Sequence, residues 1–225
     1  MNWTLTREQV RRHYERHVAK QDRQGWYEDA ALKCLMDAGR FGEARAVVEV
    51  GCGTGRFAEW LLAGPLRDNA LFYGIDISAG MLQRASERLN GYGERVHLIH
   101  GDAAGGLPLR EGCCDRFIAT YLLDLLGREE ADAMIAEAHR ILEPGGLICL
   151  ASLAGNPQGT ISGLIAKLWS AVEARMPLRV GGCRPVCLTP LLAPHLWTIK
   201  SRQMVTQRGV ASEIIVARKT GVQDP

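Results

Sequence analysis

The feature that most constrains this chain is VVEVGCGTGRF, residues 47–57, in which an apolar run passes directly into three glycines spaced two apart. The apolar run suits a buried strand, and the glycines expose main chain to a ligand because they have no Cβ. In an open α/β sheet, ligands bind beyond the carboxyl ends of the strands, at the first strand-to-helix turn. Since Glu49 lies two residues before the first glycine, the pattern predicts a ligand site that also contains an acid.

The rest of the chain alternates short apolar runs with amphipathic stretches, which is typical of a parallel sheet with helices around it. The strand candidates are RAVVEV, ALFYGIDI, RVHLIHG, CCDRFIAT and GGLICLAS, and the helix candidates between them are RFAEWLLAG, SAGMLQRASERLN and REEADAMIAEAHRIL. In WTIKSRQMVTQRGVASEIIVARK, two β-type runs meet at QRG and predict an antiparallel hairpin. The predicted fold class is therefore α/β.

A chain of 225 residues with 47% hydrophobic side chains fits one domain with elaborations. Residues 7–39 predict two helices broken near QDRQG, and residues 156–177 predict an amphipathic helix that faces the core or, alternatively, a lipid or partner. The predicted organisation is a single domain, 1–225. It consists of an amino-terminal helical lid (1–42), a cofactor-binding core (43–152), a substrate-side helix and loop (153–196) and a hairpin (197–220).

Composition restricts the partners of the chain. Its 27 basic and 25 acidic side chains give a formal charge of +2, so we expect no nucleic acid partner. No apolar run suits a signal peptide or a membrane span, and seven irregularly spaced cysteines describe neither a disulfide framework nor a paired zinc ribbon. We expect a cytoplasmic protein with mostly free thiols and no stable membrane insertion, either a monomer or a homodimer.

Three nucleotide-like ligands compete for the glycine turn. A nucleoside triphosphate loop requires Lys and then Ser or Thr after its last glycine, where this chain has Arg56 and Phe57. A dinucleotide fingerprint requires glycine at position 56, so an NAD-type oxidoreductase stays only as an alternative. The third ligand is adenosine joined to an amino acid, and Glu49 suits its ammonium group.

Further acids follow the next two strand candidates. Asp76, in YGIDIS, can accept hydrogen bonds from both hydroxyls of a ribose. Asp102, in HGDAAGG, can accept one from an adenine amino group, and Ala103 offers an amide to the ring. These acids agree with a ligand that contains adenosine.

The ordered motifs VVEVGCGTG, GIDIS, GDA, LPL and LEPGG resemble those of class I S-adenosylmethionine-dependent methyltransferases, in particular the broad group that acts on small molecules, lipids and quinones. The resemblance runs from Val47 to Ser152. It implies a Rossmann-like, doubly wound sheet of seven strands, mostly parallel with a carboxyl-terminal antiparallel hairpin and helices on both faces. It also implies S-adenosylmethionine as cofactor, S-adenosylhomocysteine as product and a small-molecule or lipid-like acceptor.

Carried over by position, the resemblance implies the cofactor contacts of this chain. Those expected around the methionine half and the sulfonium are Glu49, Gly51, Cys52, Gly53 and Thr120, and those expected around the ribose and adenine are Asp76, Ile77, Met81, Asp102 and Ala103. A non-catalytic binding module of the same fold stays a further alternative.

Transfer of an activated methyl group needs no obligatory catalytic residue. If the acceptor is a hydroxyl or a protonated amine, His13, Tyr14 and His17 are candidate bases, since the amino-terminal helix of similar enzymes covers the site. His13 and His17 also have the spacing of a metal site, but a solvated basic helix face explains them better, and we predict no metal.

The cysteines are weaker candidates. Cys113 and Cys114 begin a strand, at the end away from the predicted site, so a covalent cysteine mechanism is not expected. Cys183 and Cys187 lie in a predicted substrate-side loop, where they can bind a thiophilic acceptor or serve only as structural thiols.

Overall fold

The computed structural model describes residues 8, 9, 11, 12, 15, 16, 25–102, 105–154 and 183–220. The described positions before residue 17 are helical. The longer helices are α1 (Gly25–Ala38), α2 (Arg56–Ala63), α3 (Ala79–Leu89) and α4 (Arg128–Ile141). The strands are β1 (Ala46–Val50), β2 (Leu71–Asp76), β3 (Val96–His100), β4 (Cys114–Thr120), β5 (Leu142–Leu153), β6 (Trp197–Gln207) and β7 (Val210–Lys219).

All seven strands form one sheet in the order β3-β2-β1-β4-β5-β7-β6. β1 to β5 are parallel to one another, whereas β7 runs antiparallel to both β5 and β6. This confirms the predicted mostly parallel sheet of seven strands with a carboxyl-terminal hairpin. The strand order reverses at β1, which lies between β2 and β4, and ligands of doubly wound sheets bind beside such a reversal.

Alternate residues of β1 pack against different helices, because successive side chains of a strand point to opposite faces. Val47 belongs to a cluster with Leu32 and Leu35 of α1 and with residues of α2, whereas Val48 belongs to a cluster with Met134 and Ile141 of α4. Both faces of the sheet are therefore covered by helices, as predicted, and the central strands are buried on both sides.

A two-residue turn connects β6 and β7. Arg208 and Gly209 have φ angles of 50° and 85°, so both central residues have positive φ. Two-residue turns of this kind match the right-handed twist of the flanking strands. The sequence QRG was the predicted junction, and the structure confirms it.

Helix α1 packs on the carboxyl-terminal half of the sheet, against β5, β6 and β7. Its buried Glu28, Ala31, Leu32 and Leu35 follow the i, i+3, i+4, i+7 spacing of one helix face. Half of the predicted amino-terminal lid is therefore part of the core, and this helix brings acidic side chains to the site edge of the sheet.

The predicted boundaries of the other elements agree with the structure to within a few residues. One difference is at residues 142–146, where β5 begins at Leu142 and LEPGG forms the first part of that strand. The helix has already ended at Ile141, before Pro144, because Leu142 has the extended angles φ −72° and ψ 137°. The predicted helix at 156–177 lies outside the described residues.

Candidate functional site

The glycine turn, residues 51–55, begins where β1 ends. Gly51, Gly53 and Gly55 have φ angles of 73°, 54° and 74°, a region that glycine enters at little cost. The N–H groups of Gly51 and Cys52 both donate to the carbonyl oxygen of Ile75, at 2.8 and 3.1 Å. The turn is thereby held against β2, and its remaining main chain faces the reversal point of the sheet.

Asp76 connects the end of β2 to this turn. Its Oδ2 accepts a hydrogen bond from the N–H of Gly53 at 2.9 Å, and its Oδ1 accepts one from the N–H of Ser78 at 2.8 Å. Burial raises the pKa of Asp76, and these amides act in the opposite direction. Each carboxylate oxygen has two lone pairs, so both can still accept a bond from a ligand hydroxyl.

Glu49 is the most unusual acid of the site. Its side chain is buried, with 1% exposure, and Oε2 has no hydrogen-bond partner within the described part of the chain. Burial, with a smaller contribution from Asp76, raises its pKa to about 8. A buried carboxylate without a cation is costly, so the position favours a ligand that brings a positive charge and N–H donors.

The thiol of Cys52 faces the sheet. A Cβ added to Gly74 of β2 would lie 3.0 Å from its Sγ, so the side chain fills the space beside that glycine. Burial raises its pKa well above the usual thiol value. Cys52 therefore offers main chain to a ligand, and its thiol is not activated as a nucleophile.

The residues predicted around adenine follow β2 and β3. Met81 is buried, at 1% exposure, and its N–H donates to the Ser78 hydroxyl at 3.3 Å as α3 begins. The carbonyl of Ile77 lies 2.9 Å from Nε2 of His100, so the predicted adenine segment is connected to the end of β3. The carbonyl of Asp102 accepts a bond from Gly105 N–H at 3.1 Å, and Ala103 lies outside the described residues.

The end of β4 forms the other side of the site. Thr120 is its last residue, and Tyr121 follows with φ 51° and donates its N–H to Ala151 of β5 at 2.7 Å. The Tyr121 hydroxyl lies 2.8 Å from the hydroxyl of Ser212, and its ring contacts that of Tyr27 edge-on with centroids 5.8 Å apart. Tyr121 therefore connects β4, β7 and α1 beside the reversal point.

Arg56, the first residue of α2, joins the glycine turn to α1. Its guanidinium donates to Glu28 at 2.9 Å and to Asp29, and it lies 5.2 Å above the centre of the Trp60 ring. Glu28 is buried, at 7% exposure, and burial raises its pKa to about 7 although Arg56 acts in the opposite direction. The start of α1 is thus fixed to the start of the helix that follows the turn.

Asp124 lies between the ends of β4 and β5. It is fully buried, and its Oδ2 accepts a bond from the N–H of Leu153 at 3.1 Å. Its Oδ1 and the nearby Ser152 hydroxyl make no hydrogen bond of acceptable geometry to the residues that the structure describes. Burial raises the pKa of Asp124 to about 7, whereas the Ser152 hydroxyl and the Leu153 amide favour its charged form.

The remaining candidates are placed as follows. Among the residues with described positions, no cluster of three or more His, Cys, Asp or Glu side chains could hold a metal. Cys114 begins β4, at the sheet edge away from the glycine turn, and Cys183 is buried in a cluster with Tyr27, whereas Cys187 is exposed. The candidate bases His13, Tyr14 and His17 lie outside the described residues.

Part of the sequence is similar to a known protein family. Residues 47–146 match a family described as a methyltransferase domain. The chain is 31% identical over 149 residues to an uncharacterized methyltransferase from Geobacillus kaustophilus, and the match covers 65% of each chain. Residues 47–146, a little less than half of the chain, are thus similar to a methyltransferase domain, which agrees with the resemblance of the sequence motifs.

Solved structures of methyltransferases share the fold. The N-methyltransferase NodS from Bradyrhizobium japonicum, in complex with S-adenosylhomocysteine, has a TM-score of 0.70 at 17% identity, covering 94% of this chain and 99% of its own. A possible histamine N-methyltransferase from Thermotoga maritima has a TM-score of 0.69 at 18% identity, covering 94% and 100%. At these identities the likeness concerns the fold. The chain spans at most 65% of the length of the curated relatives it matches.

The match of residues 47–146 to a methyltransferase domain favours a methyltransferase over the NAD-type alternative. Reasoning from the sequence missed the acids of α1 and Asp124, because no local motif marks them. The sequence did contain one indication of these acids at Arg56. Position 56 was considered only because a dinucleotide fingerprint requires glycine there. A cation in the first turn of a helix opposes the helix dipole, so its presence there indicates an acidic partner elsewhere in the chain.

Proposed function

We propose that this protein transfers the methyl group of S-adenosylmethionine to a small organic acceptor and releases S-adenosylhomocysteine. The supporting observation is the buried, unpartnered Oε2 of Glu49 beside the exposed main chain of the glycine turn. The α-ammonium of the cofactor offers the charge and donors that this oxygen lacks. Asp76, already held by Gly53 and Ser78, is placed to accept from ribose hydroxyls.

When bound, S-adenosylmethionine supplies a sulfonium methyl group that is already activated for displacement. The residues of this chain have to hold the acceptor atom in line with the methyl carbon and exclude water. Such positioning can lower a barrier by roughly 7–11 kcal/mol. We propose that the methionine half of the cofactor would lie beside the ends of β4 and β5, with Thr120 and Tyr121 at the end of β4, and that the acceptor binds there.

Other parts of the prediction stay proposals. The amino-terminal residues before Gly25, with His13, Tyr14 and His17, are proposed to cover the acceptor and to supply a base where one is needed. We also propose a cytoplasmic monomer or homodimer that does not act on nucleic acid. The structure describes all seven cysteines and joins none of them in a disulfide, which agrees with a reducing compartment. No helix in the described ranges has the length and apolar character required to cross a bilayer.

The proposal is tested by calorimetric titration with S-adenosylhomocysteine and, separately, with NAD. We expect binding of the first only, and loss of that binding in Glu49→Gln. The matched control is Asp132→Asn, since Asp132 lies on the exposed face of α4 and pairs with Arg128. Binding of NAD instead, or equal binding of S-adenosylhomocysteine by Glu49→Gln, would overturn the assignment. Release of S-adenosylhomocysteine in the presence of an acceptor then separates an enzyme from a binding module.

A further inference from the structure

Two buried acids lie beside the acceptor space and have no place in cofactor binding. Asp124 is on the short helical turn Leu123–Leu125 after β4, and Glu28 is in the first turn of α1. Each carboxyl group raises the pKa of the Tyr121 hydroxyl, and Glu28 raises the pKa of Asp124. The two acids are therefore close enough to repel each other when both are charged.

The position of Asp124 relative to the glycine turn follows from its neighbour Leu122. A Cβ added to Gly51 would lie 3.2–3.3 Å from the Leu122 side chain, so this segment contacts the turn at its methionine side. Leu125 N–H donates to the Leu122 carbonyl at 3.0 Å, which closes the turn around Asp124. Asp124 is thus held two residues from the contact between Leu122 and Gly51, on the side of the turn where the methionine half of the cofactor is proposed to bind.

The charged groups around the two acids do not neutralise both of them. Arg56 pairs with Glu28 and with Asp29. Arg184 favours the charged form of Asp124, but its guanidinium donates to the carbonyl of Leu126. Within the described part of the chain, Asp124 forms no ion pair although its side chain is fully buried. The Ser152 hydroxyl and the Leu153 amide favour its charged form, but neither brings a cation, and Oδ1 makes no well-aligned hydrogen bond.

A buried carboxylate oxygen without a donor is destabilising unless a ligand completes it. A ligand that suits this position brings both N–H donors and a positive charge. The rings of Tyr27 and Tyr121 contact each other edge-on and pack in one cluster with Leu125 and Leu153, the neighbours of Asp124. Aromatic rings attract cations through their faces. An acidic acceptor, in contrast, would be repelled by Asp124 and Glu28.

We propose that Asp124, supported by Glu28, binds the amino group of an amine acceptor in this space, so that the enzyme is an N-methyltransferase of small cationic molecules. This inference rests on the proposed methyl transfer. The amine enters protonated and gives one N–H proton to the Asp124 carboxylate. Its nitrogen lone pair then forms the new N–C bond while the C–S bond breaks and its electron pair goes to sulfur.

The test uses the full-length protein saturated with S-adenosylhomocysteine. Benzylamine, tryptamine and n-butylamine are titrated calorimetrically beside the alcohols and carboxylates of the same shape. We expect at least one amine to bind about tenfold or more tightly than its alcohol. Asp124→Asn keeps an oxygen that can accept from Leu153 N–H, so it is expected to fold and to lose this preference. Glu28→Gln keeps an acceptor for Arg56 and is expected to weaken the preference for the amine over its alcohol. Asp132→Asn is expected to leave this preference unchanged.

The same panel with S-adenosylmethionine is followed by mass spectrometry, and we expect a methyl group on the nitrogen of the preferred amine. The inference is overturned if alcohols or carboxylates bind as tightly as amines, or if folded Asp124→Asn keeps the amine preference. If Asp124→Asn does not fold, the same criterion is applied to Glu28→Gln, and a folded Glu28→Gln with the full amine preference overturns the inference. If the protein does not bind S-adenosylhomocysteine at all, the proposed methyl transfer itself is contradicted. This result differs from the loss of amine preference, which contradicts only the further inference.

Discussion

The Oδ2 atom of Asp76 accepts a hydrogen bond from the main-chain N–H of Gly53 at 2.9 Å, across the ends of β2 and β1. The two residues lie 23 positions apart, and this bond brings the proposed ribose acid and the glycine turn into one site. Asp76 therefore has two roles, since it shapes the turn before it contacts any ligand.

Asp76→Ala is expected to weaken S-adenosylhomocysteine binding by about 1.5–3 kcal/mol, the loss typical of hydrogen bonds to a charged group. The Gly53 amide loses its acceptor in the same variant, so Asp76→Asn, which keeps one acceptor oxygen, should lose less. Calorimetric titration measures both. Affinity that stays at the wild-type value in Asp76→Ala would show that the ribose is bound elsewhere.

The pKa of Glu49, raised to about 8, predicts a pH-dependent affinity. Binding an ammonium group requires the charged carboxylate, so below pH 8 the free protein must first release a proton. We expect the affinity for S-adenosylhomocysteine to fall by up to about tenfold per pH unit as the pH is lowered from about 8 to about 6. In Glu49→Gln the affinity should be lower and nearly independent of pH over this range. A flat profile in the wild type would contradict the role of Glu49.

Gly51 and Gly53 form a matched pair for testing the turn. Both have positive φ, at 73° and 54°, so alanine at either position is expected to cost roughly 1–3 kcal/mol of backbone strain. At Gly51 the added methyl group also meets the Leu122 side chain at 3.2 Å, whereas nothing lies within 4 Å at Gly53. Urea denaturation should therefore find Gly51→Ala the less stable variant. Equal destabilisation would show that Leu122 moves aside freely.

Arg56→Gln tests the connection between α1 and the glycine turn. The guanidinium is 18% exposed and the Glu28 side chain 9%, so its removal leaves a nearly buried acid without its cation. We expect a loss of about 1–3 kcal/mol in the free energy of unfolding at pH 8. The loss should be smaller at pH 6, because Glu28, with a pKa raised to about 7, is then mostly protonated.

The control for this variant is Arg84→Gln. The Arg84–Glu87 pair has a similar hydrogen bond of 2.9 Å, but its side chains are 52% and 53% exposed. Solvent screens such pairs, so the expected loss is below about 1 kcal/mol. A loss as large as that of Arg56→Gln would mean that burial of the Arg56 pair is unimportant.

Much of the fold could be predicted because its signals are local. The run of apolar residues before Gly51 identified β1, and the QRG junction identified the hairpin turn. The boundary at Leu142 was less accurate, since LEPGG looks like a loop in isolation and becomes part of β5 by pairing Leu142 with Cys114. Strand pairing of this kind depends on the neighbouring strand and not on local propensity.

By itself, the sequence determined the order of strands and helices, the bare main chain of the glycine turn and the acids at the carboxyl ends of β1 and β2. It did so because strand periodicity, glycine and strand-end position are properties of short segments. Only the tertiary structure decided that Glu28, Arg56 and Asp124 meet beside that turn. They come from separate segments whose contact depends on how α1 packs across the sheet, and the burial that changes their charge exists only after packing.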